Sequence, residues 1–226
     1  MERTYTGEQG QSYGSGGAKT PLDVLFRAST ILQNRKFPVA AHADQRAIGD
    51  CLEGEAREIA RLVAAETLVN FRPAASRRTL EDFRLETGKH ALFADVKTRN
   101  LGASFSMPNL ASITRIRKLY ANPAQELAFL FIEYSRNGSN LQVVSAEPRL
   151  LHEICWTSLH IQNLGLGQLQ LRNARETPAR TDQGRTAWLE TLTEHAQEFC
   201  RAQSLKFERE LQKWQDHGTC AKATPA

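Results

Sequence analysis

Residues 81–97 have the sequence EDFRLETGKHALFADVK, which predicts two short β-strands joined by a tight turn. Apolar residues alternate with polar residues on both sides of Gly88-Lys89, as they do in strands with one buried face. A glycine at the first of two loop positions is typical of a two-residue β-hairpin. The turn therefore determines which residues of the two strands face each other.

In this register two acidic side chains face each other. Asp82 is opposite Asp95, and Lys97 follows two residues later on the same face of the hairpin. Directly opposed residues have Cβ atoms roughly 4.5–5.5 Å apart, a separation at which like charges repel. A divalent cation between the carboxylates would remove the repulsion, and Mg²⁺ binds through one or two carboxylates plus substrate phosphate. The pattern predicts a phosphodiester-cutting site in which Asp82 and Asp95 bind metal.

The surroundings of the motif favour a catalytic site over a solvated edge hairpin, which is the alternative. Asp95 ends an apolar strand, and Thr98, Arg99 and Asn100 follow Lys97 at once as predicted DNA contacts. Lys97 is a compact positive charge on a flexible stem. It either stabilises charge that develops on the phosphate or positions the attacking water.

These residues resemble the motif of the PD-(D/E)xK nuclease superfamily. Asp82 matches its first acid, Asp95 its second acid and Lys97 its lysine. The Asp-Val-Lys-Thr run after an apolar strand is similar to that of blunt-cutting type II restriction endonucleases. The family often has proline before the first acid, where this chain has Glu81; Glu81 and Glu86 are fallback ligands.

The resemblance spans roughly residues 50–173 and implies a Mg²⁺-dependent, site-specific endonuclease for double-stranded DNA. The chain lacks the Gln and Tyr pair that the exonuclease-like branch usually has after the lysine. The resemblance further implies a homodimer, because a palindromic duplex and its protein share twofold symmetry. A cognate DNA methyltransferase is expected in the same system.

The family often adds an acidic ligand from a helix that precedes the hairpin. A helix is predicted over residues 42–70, and it offers Glu55, Glu58 and Glu66. Glu55 is the candidate for this metal ligand. The alternative for each glutamate is an ordinary solvated side chain.

Amide and guanidinium side chains are concentrated in residues 161–187. Asn and Gln pair bidentately with adenine in the major groove, and Arg pairs with guanine. The predicted base contacts in this segment are Gln168, Gln170, Arg172 and Asn173. The alternative is a polar loop beside a strand.

Several other elements follow from local signals. Thr20-Pro21 predicts the start of a helix that ends near Asn34. Pro108 predicts another helix, with Asn109 near its N-terminus as a DNA phosphate contact. Asn137-Gly138 predicts a hairpin between apolar strands, and Pro148 predicts a helix over 149–160.

The length fits one domain, or one domain with a helical appendage. The chain has 226 residues and a net charge of +4, which is compatible with nucleic acid but not diagnostic of it. Four scattered cysteines without a CxxC pair suggest free thiols rather than zinc. With neither a membrane-spanning stretch nor a signal peptide, a cytoplasmic protein is expected.

The fold prediction is an α/β domain with a mixed central β-sheet of about five strands flanked by helices. Residues 1–19 are expected to be a disordered arm, 20–216 a single endonuclease domain, and 217–226 a flexible tail. A long amphipathic helix over 185–216 is a candidate dimer contact.

The predicted function is Mg²⁺-dependent hydrolysis of duplex DNA by a type II restriction endonuclease. Three alternatives stay open. They are a repair or junction-resolving nuclease of the same superfamily, a DNA-binding protein without catalysis, and an RNA-directed enzyme.

Overall fold

The computed structural model describes residues 20–40, 43–76, 79–88, 90–103 and 109–222. The predicted arm, Lys89 of the turn and Pro108 of the third predicted helix lie outside these ranges. The helices are α1 (Pro21–Leu32), α2 (Gln45–Ala65), α3 (Ile113–Tyr120) and α4 (Arg185–Lys222). The strands are β1 (Lys36–Pro38), β2 (Asn70–Pro73), β3 (Phe83–Thr87), β4 (His90–Asn100), β5 (Asn109–Ser112), β6 (Gln125–Asn137), β7 (Asn140–Leu150), β8 (Leu159–Gln162) and β9 (Gln168–Leu171).

The main sheet is mixed and has six strands in the order β1-β7-β6-β4-β3-β2. Strands β4 and β6 run parallel, whereas their other neighbours are antiparallel. A second sheet has the order β5-β9-β8. The predicted α/β class with a mixed sheet and a long C-terminal helix is confirmed. None of the helices in the described ranges is long and apolar enough to cross a membrane.

The β3–β4 hairpin has the register predicted from its sequence. Phe83 pairs with Ala94, and Thr87 pairs with His90, so the loop between the strands has two residues. Gly88 has a φ of +50°, in the left-handed region that favours glycine. The position of Asp82 relative to Asp95 follows from this register.

The main sheet separates two hydrophobic cores. Alternate residues of β4 point to opposite faces. Leu92, Ala94 and Val96 pack with α1 and α2, whereas Phe93 packs on the other face with α3, α4 and the small sheet. By the same alternation, Asp95 and Lys97 lie on the face that holds Phe93.

The first helix begins at its capping signal, and the second helix is shorter than predicted. The Thr20 hydroxyl accepts a hydrogen bond from the Asp23 N–H at 3.2 Å, and the Asp23 carboxylate accepts one from the Thr20 N–H at 2.9 Å. The start of α1 at Pro21 is thereby confirmed. The second helix is shorter than the predicted 42–70, because residues 70–73 join the sheet as its edge strand.

The prediction that Asn109 begins a helix is wrong. Asn109 lies on β5 and pairs with Gln170 of β9. The helix begins later, at Ile113, where the Ser112 hydroxyl accepts a hydrogen bond from the Arg115 N–H at 3.2 Å. Pairing with a distant strand therefore outweighed the local helix signal.

Two details of the following hairpin also differ from expectation. Asn137 pairs with Asn140, so the loop is Gly138-Ser139, and Gly138 has a φ of +61°. Pro148 lies inside β7 instead of starting a helix. Among the described residues, β1 pairs only with residues 140–142 of β7. The part of β7 that contains Pro148 is therefore at the edge of the sheet, where a proline, which has no N–H, is tolerated.

The last helix extends beyond its predicted end, to Lys222. Trp188 and Leu192 are buried in the second core, and the Trp188 indole N–H donates to the Ile154 carbonyl at 2.9 Å. Farther along the helix, Phe207 and Trp214 are exposed. The first half of α4 closes the core, and the second half leaves apolar side chains uncovered in the described structure.

Candidate active site

Backbone hydrogen bonds fix Asp82 beside β4. The Asp82 N–H donates to the Ala94 carbonyl at 2.8 Å, which continues the ladder by one residue before β3 begins. Its carboxylate Oδ2 accepts from the Val96 N–H at 2.6 Å. The side chain is thus held against the strand that carries Asp95 and Lys97.

Asp95 and Lys97 form an ion pair on the same face. The Lys97 Nζ lies 2.6 Å from Asp95 Oδ2, and the two side chains are 28% and 13% exposed. This carboxylate oxygen is buried, and the Lys97 ammonium is its hydrogen-bond donor. Below the ammonium, the Phe129 ring centroid is 6.0 Å away. The ion pair therefore packs against an apolar surface, and the negative charge of Asp95 is poorly solvated there.

This environment weakens the acidity of both aspartates. Burial raises the pKa of Asp95 from 3.8 to about 7, against the opposing attraction of Lys97 and with a further contribution from Asp82. Burial also raises the pKa of Asp82, although the Val96 N–H and Lys97 lower it. Neighbouring carboxylates of this kind favour either a proton or a cation.

A third carboxylate, Glu53 of α2, belongs to the same electrostatic cluster. Burial raises the pKa of Glu53, and the next contribution comes from Asp82. One helical turn earlier, a Cβ added at Gly49 would lie 3.3 Å from Thr98 Oγ1. The glycine therefore lets α2 approach β4 closely at the end that carries Lys97.

The glutamates predicted from sequence have other interactions in the described structure. Glu55 is two residues from Glu53, about 200° around the helix, and it raises the pKa of Cys51 after burial does. Glu58 pairs with Arg61 at 2.6 Å, and Glu66 pairs with Arg27 at 3.1 Å. Among the charged groups of α2, Glu53 contributes to the raised pKa of Asp95.

The fallback acids are engaged by arginines. Glu81 is buried and pairs with Arg84 at 3.0 Å. Glu86 pairs with Arg72 at 3.0 Å and with Arg84 at 3.5 Å. Arg72 is thus part of an ion-pair row along β2 and β3.

The donor set suits a hard divalent cation with few protein ligands. Within the described ranges, no group of three or more His, Cys, Asp and Glu residues is arranged to hold a metal ion. Asp82 and Asp95 supply two carboxylates, and burial raises the pKa of both. Mg²⁺ commonly uses one or two carboxylates and completes its shell with water and phosphate.

The residues after Lys97 that were predicted to contact DNA have different hydrogen-bond partners. Arg99 forms an ion pair with Glu133, whose Oε1 also accepts from the Thr177 hydroxyl at 2.6 Å. The Arg99 Nη1 atom is buried and has no hydrogen-bond partner among the described residues. Asn100 Oδ1 accepts from the Gly102 N–H at 2.9 Å, which shapes the strand end.

A cleft opens beside these residues, between the end of β4 and the loop that follows β9. Lys97, Arg99, Glu133 and Thr177 are among the residues that line it. The Thr177 hydrogen bond therefore attaches the loop 172–177 to the strand pair that carries the ionic cluster.

The predicted base contacts divide into buried and exposed residues. Gln170 is buried, and its side-chain amide donates to Asn109 Oδ1 across the small sheet. Gln168 is half-buried. Arg172 and Asn173 are exposed in the loop after β9, where Asn173 Oδ1 accepts from the Arg175 N–H at 3.0 Å. The exposed pair is the more accessible to a ligand.

Comparisons with known proteins support the fold. No protein-family model matches the chain, and no curated protein matches its sequence. Among solved structures, NlaIV restriction endonuclease is similar, with a TM-score of 0.55 and 12% sequence identity. The match covers 80% of this chain and 82% of that protein. The chain therefore has a restriction-endonuclease-like fold.

Proposed function

We propose that this protein is a Mg²⁺-dependent endonuclease that cuts double-stranded DNA at a specific sequence, as a type II restriction endonuclease. The observation that carries the proposal is the convergence of Asp82, Asp95 and Lys97 on one face of the hairpin. The restriction-endonuclease-like fold supports it. The buried carboxylates of Asp82 and Asp95 repel each other, and a bound cation would relieve that repulsion.

Asp82 and Asp95 would hold the metal, and Glu53 of α2 would add negative charge near them. When bound, Mg²⁺ would polarise the scissile phosphate. The Val96 N–H holds the Asp82 carboxylate in place, so this ligand does not have to be ordered when DNA arrives. Pre-organised charge of this kind lowers the cost of reaching the transition state.

Lys97 keeps one of two roles. Its ammonium, anchored 2.6 Å from Asp95, either offsets negative charge that grows on the phosphate or orients the attacking water. Both roles use positioning and electrostatics, and neither needs a covalent intermediate.

For base recognition we propose Arg172, Asn173 and Gln168. The side-chain amide of Gln170 already donates a hydrogen bond to Asn109. This pair would therefore shape the surface that faces the bases, unless DNA binding breaks the hydrogen bond. Arg99, which forms an ion pair with Glu133, would contact the sugar–phosphate backbone of DNA. Thr98 and Asn100 complete the proposed contact segment.

We propose a homodimer because recognition of a palindrome requires twofold symmetry. The exposed half of α4 is its candidate contact. A cognate DNA methyltransferase would protect the host sequence.

Digestion of a sequenced plasmid with the purified protein and Mg²⁺ tests the proposal. Discrete fragments support sequence-specific cutting, whereas a smear or cutting only at branched DNA supports a repair or junction nuclease. DNA that is bound but left intact indicates a binding protein without catalysis.

Asp95→Ala and Lys97→Ala should each abolish cleavage while DNA binding survives, because the chemistry is lost and the binding surface is not. Gel shift and plasmid digestion of the same preparations measure both properties. Full cleavage by either variant contradicts the proposed site.

A further inference from the structure

The exposed side of α3 carries three positive charges. Its buried residues are Ile113, Ile116 and Leu119, which pack into the second core. Its exposed charged residues are Arg115, Arg117 and Lys118. The helix contains no acidic residue, so no charge within α3 offsets them. Within the described part of the chain, Arg117 and Lys118 form no salt bridge.

This face lies on the same side of the main sheet as the candidate active site. The core beneath α3 includes Phe129, over which the Lys97 ammonium lies. Arg115 Nη1 donates to the Thr79 carbonyl at 3.2 Å. Thr79 precedes Asp82 by three residues, and a chain segment of that length spans at most about 10 Å. The helix is therefore tied to the segment that leads directly into the first acidic residue.

The chemistry of the surface selects a polyanion. Lys and Arg bind nucleic-acid phosphates through charge, and they release counterions when they do so. Phosphates follow one another at about 3.4 Å of helix rise per strand, so the segment from Asp82 to Thr79, which Arg115 contacts, spans at most about three nucleotides. Side chains of this kind position a protein on DNA without reading bases.

We propose that the α3 surface (Arg115, Arg117 and Lys118) binds the sugar–phosphate backbone of duplex DNA beside the bond that is cut. This inference rests on the proposed function and names a part of its substrate contact. Arg115 ties the surface to Thr79, while Arg117 and Lys118 neutralise phosphates.

The test compares Arg117→Ala/Lys118→Ala with the unaltered chain. Binding to a fluorescein-labelled duplex of about 30 bp is measured by anisotropy without divalent metal, from about 50 to 200 mM KCl. Two lost phosphate contacts should reduce the slope of log K against log salt by about 1.8, and weaken binding near 0.1 M salt on the order of tenfold per contact. Two duplexes of unrelated sequence should be affected equally, because the contact is with the backbone.

Arg27→Ala/Arg61→Ala is the matched control. It removes the same charge from α1 and α2, on the other face of the sheet, where each arginine has only an exposed ion pair. The control should retain the salt slope of the unaltered chain. Thermal unfolding of all three proteins verifies that each is folded.

Three results would overturn the inference. If the salt slope of the α3 variant is unchanged, Arg117 and Lys118 do not contact phosphate. If the slope of the control falls by the same amount as that of the α3 variant, binding depends on net charge alone. If the variant loses binding to polyglutamate but not to DNA, the surface fits an acidic protein instead. A chain that cuts DNA yet shows any of these results refutes only the α3 surface, whereas a chain that neither binds nor cuts DNA refutes the proposed function as well.

Discussion

The charge state of Asp95 depends on what surrounds its side chain. Burial raises its pKa to about 7, while Lys97 opposes the shift. In the unfolded chain an aspartate has its ordinary pKa near 3.8. The folded protein therefore binds an extra proton between these values, and its stability falls as pH rises from about 4 to about 7.

Asp95→Asn should raise the melting temperature of the metal-free protein at pH 8 by several degrees, because a buried charge is removed. The gain should vanish near pH 4, where Asp95 is protonated in both the folded and unfolded chain. Differential scanning fluorimetry with chelator across pH measures it. Asp182→Asn, on a distant loop, is the control; an equal gain there would show that the effect does not come from Asp95.

Glu53 and Glu55 provide a matched pair for the metal site. Glu53→Gln should weaken Mg²⁺ binding on the order of tenfold, as loss of a supporting group at a metal site commonly does, whereas Glu55→Gln should not. Metal-dependent stabilisation in a melting-temperature titration reports the affinity. The reverse ranking would restore Glu55 as the ligand.

At the scale of elements, the position of α2 depends on its close approach to β4. The Cα of Gly49 leaves little room beside Thr98, whereas a Cβ added at Gly54 would meet no atom within 4 Å. The first glycine is therefore required by packing, and the second is only a cost to helix formation.

Gly49→Val should destabilise the protein by about 1–3 kcal/mol through overpacking. Gly54→Ala should stabilise it by up to about 1 kcal/mol, because alanine is the better helix former. Urea unfolding of both variants measures the two free energies. Equal effects at the two positions would contradict the close contact between α2 and β4.

The elements also differ in how well their sequences predicted them. The caps of α1 and the β3–β4 register depend on residues within one turn or one loop, so local patterns were sufficient. Asn109 and Pro148 have local signals that favour helices, yet both residues joined strands. Their partners, Gln170 and Leu130, are distant in the chain, and local periodicity contains no information about such pairing.

In the whole molecule, α4 is the element least covered by the rest of the chain. Its first half fills the second core, but Leu205, Phe207, Leu211 and Trp214 are 53%, 70%, 59% and 77% exposed. Contiguous exposed apolar surface commonly marks an interaction site. The proposed occupant is a second copy of the chain.

Removal of residues 204–222 should leave the melting temperature nearly unchanged and weaken dimer formation. Residues 204–215, whose side chains the structure describes, are exposed and contribute no side chain to either core. Analytical ultracentrifugation over a concentration series compares the two chains. A truncated chain that dimerises as tightly as the full chain would place the interface elsewhere.

The sequence by itself determined the hairpin that brings Asp82, Asp95 and Lys97 together, because alternation and a two-residue turn define strand register over a short distance. Only the tertiary structure decided which glutamate of α2 interacts electrostatically with them. Glu53 and Glu55 flank opposite sides of the apolar stripe of α2, and in the folded protein the charge of Glu53 contributes to the raised pKa of Asp95. Docking depends on contacts between distant segments, such as Gly49 against Thr98, and helical periodicity alone cannot distinguish the two flanks.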